Sequence, residues 1–459
     1  MKPVNIKLFN CHCLILGALI SCFFSCRKTL DERITPASSD EINLRSKKPN
    51  IIFILADDIG YEIPSCNGGE SYSTPDIDLL AANGMRFTQC QSCPNCSPSR
   101  VELLTGKYNF RNYKTWGSLD TTQKTFVNML HDAGYKTCVA GKWQLDGGDV
   151  SLHKFGFDKY RVFLPFDVTD ENTEDKLRYK NPKLYENGHF LADSVTAGKY
   201  ADDMFVNYIS RFIDSNSAKP FFVLYSMSLC HVPFYPTPDD PEFATWDPLT
   251  QKSDKKFFPS MVKYMDKKIK QVINKVNDAG LADNTVIMFV GDNGTSSQIV
   301  SMFNGKQITG GKATSTTYGT HVPLIVKWPR IIAGGQVNNA LIDFSDFLPT
   351  LAGIAHVSLP LYYGTLDGVS FVPALRGSDR NLRDWSFCHW KPKFEENGDI
   401  FKRWVQDTTY KLYDSTNQNY FFNISTDPLE LNPIPNEKLT DEEQVIKHKF
   451  RRVLKSMHN

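Results

Sequence analysis

The apolar positions of this chain fall into two alternating patterns. Asn50-Ile51-Ile52-Phe53-Ile54-Leu55 is an unbroken, largely β-branched run, as expected of a strand buried on both faces within a parallel sheet. Runs at 85–88, 135–140, 221–228 and 285–290 predict further strands. Between them the apolar spacing becomes helical. One helix opens at Thr74-Pro75-Asp76, carries Leu79, Leu80 and Ala82, and stops at Asn83-Gly84. Proline suits the first helical position because the N–H it lacks has no helical partner there. Other helices are predicted over 96–104, 123–133, 196–214 and 260–279. This alternation predicts an α/β fold with a mostly parallel sheet flanked by helices. Residues 146–195 and 234–257 follow neither pattern and read as irregular loops facing a substrate, the second offering Tyr235 and Trp246. Beyond Pro329 the elements shorten. A helix starts at Asp346-Phe347-Leu348-Pro349-Thr350, strand-like runs follow at 385–390, 404–406 and 411–413, and a turn at 423–428 precedes a charged terminal helix. These predict a smaller α+β subdomain from 350 onward. No internal repeat is visible.

Polar residues recur where the predicted strands end. Asp57-Asp58 follows the first run, Gly141-Lys142-Trp143-Gln144 the third, Cys230-His231-Val232-Pro233 the fourth and Gly291-Asp292-Asn293-Gly294 the fifth. Open α/β sheets build their sites at these carboxyl ends. Taken singly, an Asp pair is usually a solvated turn, a lysine a surface residue and a His beside Pro a packing residue. Their recurrence at successive strand ends is what argues for a site. Asp57, Asp58, Asp292 and Asn293 offer hard oxygen ligands, which suit Ca²⁺ or Mg²⁺ rather than zinc.

Composition narrows the setting. The chain has 459 residues, 41% of them hydrophobic, with 52 basic and 51 acidic side chains and a net charge of +1. Its mean hydropathy of −0.35 is that of a soluble globular protein. No charge field points to nucleic acid, so any anion site is local. Lys2 and Lys7 precede an apolar run from Cys13 to Phe24 that is short for a membrane span. Leu19-Ile20-Ser21-Cys22 and Phe23-Phe24-Ser25-Cys26 resemble bacterial lipoboxes, which implies export with a lipid anchor on Cys22 or Cys26. Residues 1–26 then form the signal and 27–48 a polar tether. Of the 11 cysteines, four lie in the signal region; Cys66, Cys90 and Cys93 are disulfide candidates in an exported protein.

Cys96-Ser97-Pro98-Ser99-Arg100, followed by Leu103-Leu104-Thr105-Gly106, carries the most specific signal. An unmodified Cys96 reads either as a buried thiol or as a thiolate activated by Arg100 and a helix N-terminus. The tract resembles the signature of the type I sulfatases, of the alkaline-phosphatase-like fold. In that family a formylglycine-generating maturase oxidises the cysteine to 3-oxoalanine (formylglycine), which hydrates to a diol. The resemblance extends from Asn50 to the Asp427-Pro428 turn and gives a catalytic domain over 49–349 and a subdomain over 350–459. It implies one calcium ion (Ca2+) held by Asp57, Asp58, Asp292, Asn293 and the residue at 96. It also implies that Arg100 steadies the diol, that Lys142 and Lys312 clamp the sulfate, and that His231 protonates the leaving alcohol. The expected activity is sulfate removal from a sulfated carbohydrate, by attack of the hydrated aldehyde on sulfur and collapse of the diol. Two departures stand out. Gln144 occupies a position where the family usually has a histidine acting as base, and His321, where arginine is commoner, is a candidate replacement. The alternatives are a formylglycine-dependent phosphonate or phosphodiester hydrolase, and a non-catalytic sulfoglycan-binding lipoprotein.

Overall fold

The computed structural model describes residues 47–163, 176–378, 382–393 and 400–457. The lipobox cysteines Cys22 and Cys26 lie outside these. Residues 48–459 form one compact unit, and among the described residues no helix is long and apolar enough to cross a membrane.

Strand β1 (Asn50–Ala56) shows why the apolar run forms the centre of the molecule. All seven residues are buried, and they alternate between two cores as the strand's two-residue period requires. Ile51, Phe53 and Leu55 join one core, while Ile52, Ile54 and Ala56 join the other. Around β1 lie β2 (Met85–Gln91), β3 (Lys136–Lys142), β4 (Lys159–Phe163), β5 (Tyr185–Glu186), β6 (His189–Phe190), β7 (Phe221–Ser226) and β8 (Thr285–Gly291). The β9–β10 hairpin (Val300–Phe303, Lys306–Thr309) precedes β11 (His321–Lys327) and β12 (Gln336–Asp343). Ten of these strands make one sheet in the order β12-β2-β11-β8-β1-β7-β3-β4-β5-β6. The inner strands β8, β1, β7, β3 and β4 are parallel, and β11 runs antiparallel to both its neighbours.

Helices cover both faces. Helix α1 (Pro75–Ala82) packs on the second core, and α2 (Cys96–Thr105) and α3 (Phe126–Asp132) pack on the first. The span 146–195, expected to be irregular, holds α4 (Gly148–Lys154) and β4, which pairs with β3 from Cys138–Lys159 to Lys142–Phe163. Its Lys159-Tyr160-Arg161-Val162-Phe163 sequence mixes charge with apolar residues, so the strand signal was weak. Helices α5 (Ala201–Asn216) and α6 (Phe258–Asp278) lie with α1, while α7 (Phe347–Ile354) lies with α2 and α3. A separate antiparallel sheet of β13 (Ser386–Lys393), β14 (Ile400–Gln406), β15 (Tyr410–Tyr413) and β16 (Phe421–Asn423) is backed by the terminal helix α8 (Asp441–Ser456). The molecule thus has the expected class, a mostly parallel α/β sheet flanked by helices with a small α+β portion at its C-terminal end.

Candidate active site

Strand register sets the site's floor. Ala56 pairs with Gly291 and Gly141 with Ser226, so Asp57, Lys142, Ser226 and Asp292 emerge together at one edge. Backbones crowd there. A Cβ on Gly141 would come within 1.8 Å of Ser226 O, and one on Gly291 within 2.0 Å of Ile59 O, so both positions require glycine. Asp58 adopts a left-handed φ of 56°, which Asp tolerates better than most residues. That bend lets its N–H donate to Asp292 Oδ1 at 3.1 Å.

The carboxylates are buried and ringed by cations. Lys142 Nζ donates to Asp57 Oδ1 and Oδ2 at 2.9 and 2.7 Å, Lys312 Nζ to Asp58 at 2.7 Å, and Arg100 to Asp292 Oδ2 at 2.9 Å. Burial pushes the Asp57 carboxyl up, but Lys142 foremost, with Arg100 and Lys312, outweighs it and holds the group well below the usual carboxylate range. Asp292 goes the other way. Burial and the neighbouring Asp57 charge push it up to about 7 against Arg100 and Lys142.

Cys96 is the first residue of α2, buried and next to Lys312 and Arg100. The first N–H groups of a helix have no intrahelical partner and favour an anion in front of them. Arg100, one turn on, points at the strand ends, donating also to Ser226 Oγ at 2.5 Å and to Lys142 O at 3.4 Å. The Lys312 loop is pinned beside it by Ala313 N–H to Pro94 O and Lys312 N–H to Thr295 O, both at 2.9 Å.

His231 Nδ1 lies 2.5 Å from Val232 O, which assigns its proton to that nitrogen and leaves Nε2 free, 3.9 Å from Asp58 Oδ2. Burial, then Lys312 and Arg178, keep this imidazole neutral despite the pull of Asp57. Gln144, two residues past Lys142, has a left-handed φ of 59° and a buried Oε1 without a hydrogen-bond partner. His321 contacts a different part of the molecule. Its Nε2 is 2.8 Å from Thr88 O and its ring stacks on Tyr61 at 4.0 Å. Tyr235 and Trp246 pack on each other, and Trp246 on Phe257, against the second core.

A divalent cation fits these residues. Ligand atoms of Asp57, Asp58 and His231 all lie within 4.8 Å of one another. Asn293 Nδ2 donates to Asp58 Oδ1 at 2.8 Å, while its Oδ1 is buried with no hydrogen-bond partner. A hard oxygen in that state is costly unless something positive meets it.

Several residues around the site carry no local sequence signal. Arg178 NH1 stands 3.5 Å from Asp57 Oδ2, and it comes from the span read only as irregular. Trp390 Nε1 donates to Asn95 Oδ1 at 2.9 Å. The buried Lys411 ammonium donates to Ser315 O beside Lys312 and to Glu430 at 2.8 Å, between the Trp404 and Tyr413 rings. The seven cysteines among the described residues are free, and Cys93 Sγ meets Cys388 Sγ at 3.6 Å.

This geometry agrees with comparisons to known proteins. The sulfatase family model matches residues 49–357, and the model for the N-sulphoglucosamine sulphohydrolase C-terminal region matches residues 316–459. The chain belongs to the sulfatase family of the alkaline-phosphatase-like superfamily, and by class it is a sulfuric ester hydrolase. It is 30% identical over 414 residues to the N-acetylgalactosamine-6-O-sulfatase of Bacteroides thetaiotaomicron, covering 74% of this chain and 79% of that protein. It is 31% identical over 365 residues to arylsulfatase G of Rattus norvegicus, covering 69% of this chain and 66% of that protein. A crystal structure of Ps i-CgsB in complex with k-i-k-neocarrahexaose aligns at 25% identity with a TM-score of 0.70, covering 89% of this chain and 92% of that one.

Proposed function

We propose that this protein is an exported, lipid-anchored sulfatase that removes sulfate from a sulfated carbohydrate, using a formylglycine made from Cys96 and one calcium ion. The observation that carries this reading is the meeting of a helix N-terminus bearing Cys96, four buried oxygen-donor residues and four cations at one sheet edge. The substrate class follows the relatives, one named for an N-acetylgalactosamine 6-sulfate and one solved with a neocarrahexaose.

Asp57, Asp58, Asp292 and Asn293 would hold the calcium ion beside residue 96. Between them the ion supplies charge stabilisation for sulfate oxygens and the modified residue a hydroxyl nucleophile. The chain's own side chains do the rest. Lys142 and Lys312, freed from Asp57 and Asp58, bind the sulfate's outer oxygens, where charge grows as the S–O bond breaks. Arg100 keeps residue 96 turned toward the floor through its bonds to Ser226 and Asp292. His231 acts from Nε2, since Nδ1 is committed to Val232 O. Burial, then the Lys312 and Arg178 charges, hold the ring neutral; a bound anion would offset the two charges and so favour a proton on Nε2, the form that protonates a leaving alcohol. Gln144 can donate an amide hydrogen bond to residue 96 but cannot take a proton from it.

The test is mass spectrometry of the peptide containing residue 96, from protein co-expressed with a formylglycine-generating maturase, followed by assay on sulfated monosaccharides including N-acetylgalactosamine 6-sulfate. An aldehyde with sulfate release supports the reading. An intact thiol despite an active maturase overturns it. An aldehyde with binding but no release assigns a sulfoglycan-binding role, and preference for phosphonate or phosphate esters assigns the sister activity.

A further inference from the structure

The small C-terminal sheet meets the segment leading into Cys96 along a line of matched spacing. Cys388 and Trp390 stand two apart on β13 and share one face of it, as the strand period requires. Cys93 and Asn95, also two apart, stand opposite. Trp390 Nε1 donates to Asn95 Oδ1 at 2.9 Å, and Cys388 Sγ lies 3.6 Å from Cys93 Sγ. Both thiols are buried and share a small cluster with Trp390, Trp404, Tyr413, Phe422 and Ile424. Glu102 Oε2 at 3.2 Å and Asn109 Nδ2 at 3.1 Å also reach Cys93 Sγ. The contact with Cys388, then burial, holds the Cys93 thiol well above the usual thiol range, and burial raises that of Cys388. Neither is therefore a ready nucleophile once the interior has closed. The other sequence candidates lie elsewhere, Cys66 beside Asn67 and Cys90 in the first core.

We propose that Cys93 and Cys388 form a disulfide in the exported protein, a covalent clamp that holds the C-terminal sheet over the segment leading into Cys96. The inference rests on the export part of the reading above, because such pairs are oxidised outside a reducing cytoplasm. The oxidant is a donor disulfide, that of a thiol–disulfide oxidoreductase or of oxidised glutathione. One cysteine's thiolate attacks it and expels the first donor thiol; the other's then attacks the mixed disulfide and expels the second. Two S–H bonds break and one S–S bond forms, and the two electrons and two protons leave with the donor as two thiols. Since the closed interior shields both sulfurs, the bond is made while β13 docks. It joins positions 295 residues apart, so it removes a long loop's freedom from the unfolded chain.

The test maps the link in the full chain by mass spectrometry without reduction. Trypsin leaves Cys93 in the peptide 87–100 and Cys388 in the peptide 384–393. Two samples are compared, the protein as fractionated from the producing cell, and reduced chain refolded in mixed reduced and oxidised glutathione. The expected product is the two peptides joined, two hydrogens lighter than their sum, with fragmentation placing the bond on Cys93. Reduction should lower the wild-type Tm by about 5 °C or more and leave that of Cys388→Ser unchanged. Refolded protein in which both thiols alkylate freely, or a link carried by Cys90 or Cys96, would overturn the proposal. So would an equal fall in Tm for Cys388→Ser. The two samples keep the readings apart. A chain that stays in the cytoplasm sinks the export reading, while the refolded sample still decides the pairing.

Discussion

Asp57 and Asp292 reach the site from β1 and β8, which are paired residue by residue from Asn50–Thr285 to Ala56–Gly291. Lys312 and Cys96 reach it by another route. The loop bearing Lys312 is tied through Ser315 to Lys411, and the segment before Cys96 through Asn95 to Trp390, both on the small C-terminal sheet. On the first side a ladder of backbone bonds sets the spacing, and no single side chain is responsible for it. On the second a few long-range side-chain contacts add to the two backbone bonds of the Lys312 loop, and each side-chain contact can be removed by one substitution. The sheet edge should therefore fail chemically, residue by residue, and the loop side geometrically.

The largest effect is expected at residue 96. Cys96→Ala should lower sulfate release by about 10⁴-fold or more while leaving Tm within a few degrees, measured on maturase-co-expressed protein. A large loss of Tm instead would show that the thiol is part of the packing. Next comes the cation site. Chelation should abolish turnover and lower Tm, and Ca²⁺ should restore both. Asn293→Ala should raise the Ca²⁺ concentration needed for half-maximal recovery by about tenfold, in activity and in the Ca²⁺ dependence of Tm alike.

The loop side should give smaller losses of a different kind. Lys411→Met keeps bulk between Trp404 and Tyr413 but releases Ser315. It is expected to lower kcat by about tenfold through misplacement of Lys312. Trp390→Phe, which loses the bond to Asn95 and part of the indole's packing, should cost less. If Lys411→Met changed Tm alone and left kcat intact, the C-terminal sheet would be packing and not positioning.

The smallest effect lies away from the site, at Asp202 beneath β7. Burial, with Asp203 adding to it and the Tyr225 hydrogen bond and Lys268 opposing, pushes this carboxyl up to about 7. Its pKa is higher folded than unfolded, so the native state holds an extra proton between the two values, and stability falls as pH rises from about 4 to 7. Asp202→Asn should leave Tm unchanged near pH 4 and raise it by about 3 °C at pH 8. A uniform shift across pH would contradict this.

What was legible in the sequence follows the same division. The apolar run of β1 and the polar residues after β3, β7 and β8 were readable because a doubly buried strand must be apolar and a site at its end must be polar. The first residue of α2 was readable from its motif. Arg178 was not, because its place beside Asp57 comes from a crossing of chain that no local period encodes. Lys411 and Trp390 were not, because a buried lysine in a short strand looks like a solvated one until its rings and carbonyls are seen. His321 shows the converse, since a histidine before Val322-Pro323 invited a chemical role, and the fold gives it Tyr61 and a strand carbonyl.

The contact between Trp390 and Asn95 spans 295 residues, as does that between Cys388 and Cys93. At translation rates of about 5–20 residues per second, the covering strand is made roughly 15–60 s after the segment it covers. Cys96 is only 3% exposed once everything is in place. The proposed formylglycine-generating maturase would therefore have a window in time, between emergence of the N-terminal quarter and arrival of the last. A destabilised C-terminal sheet would lengthen that window, so variants that fold poorly should still emerge fully converted.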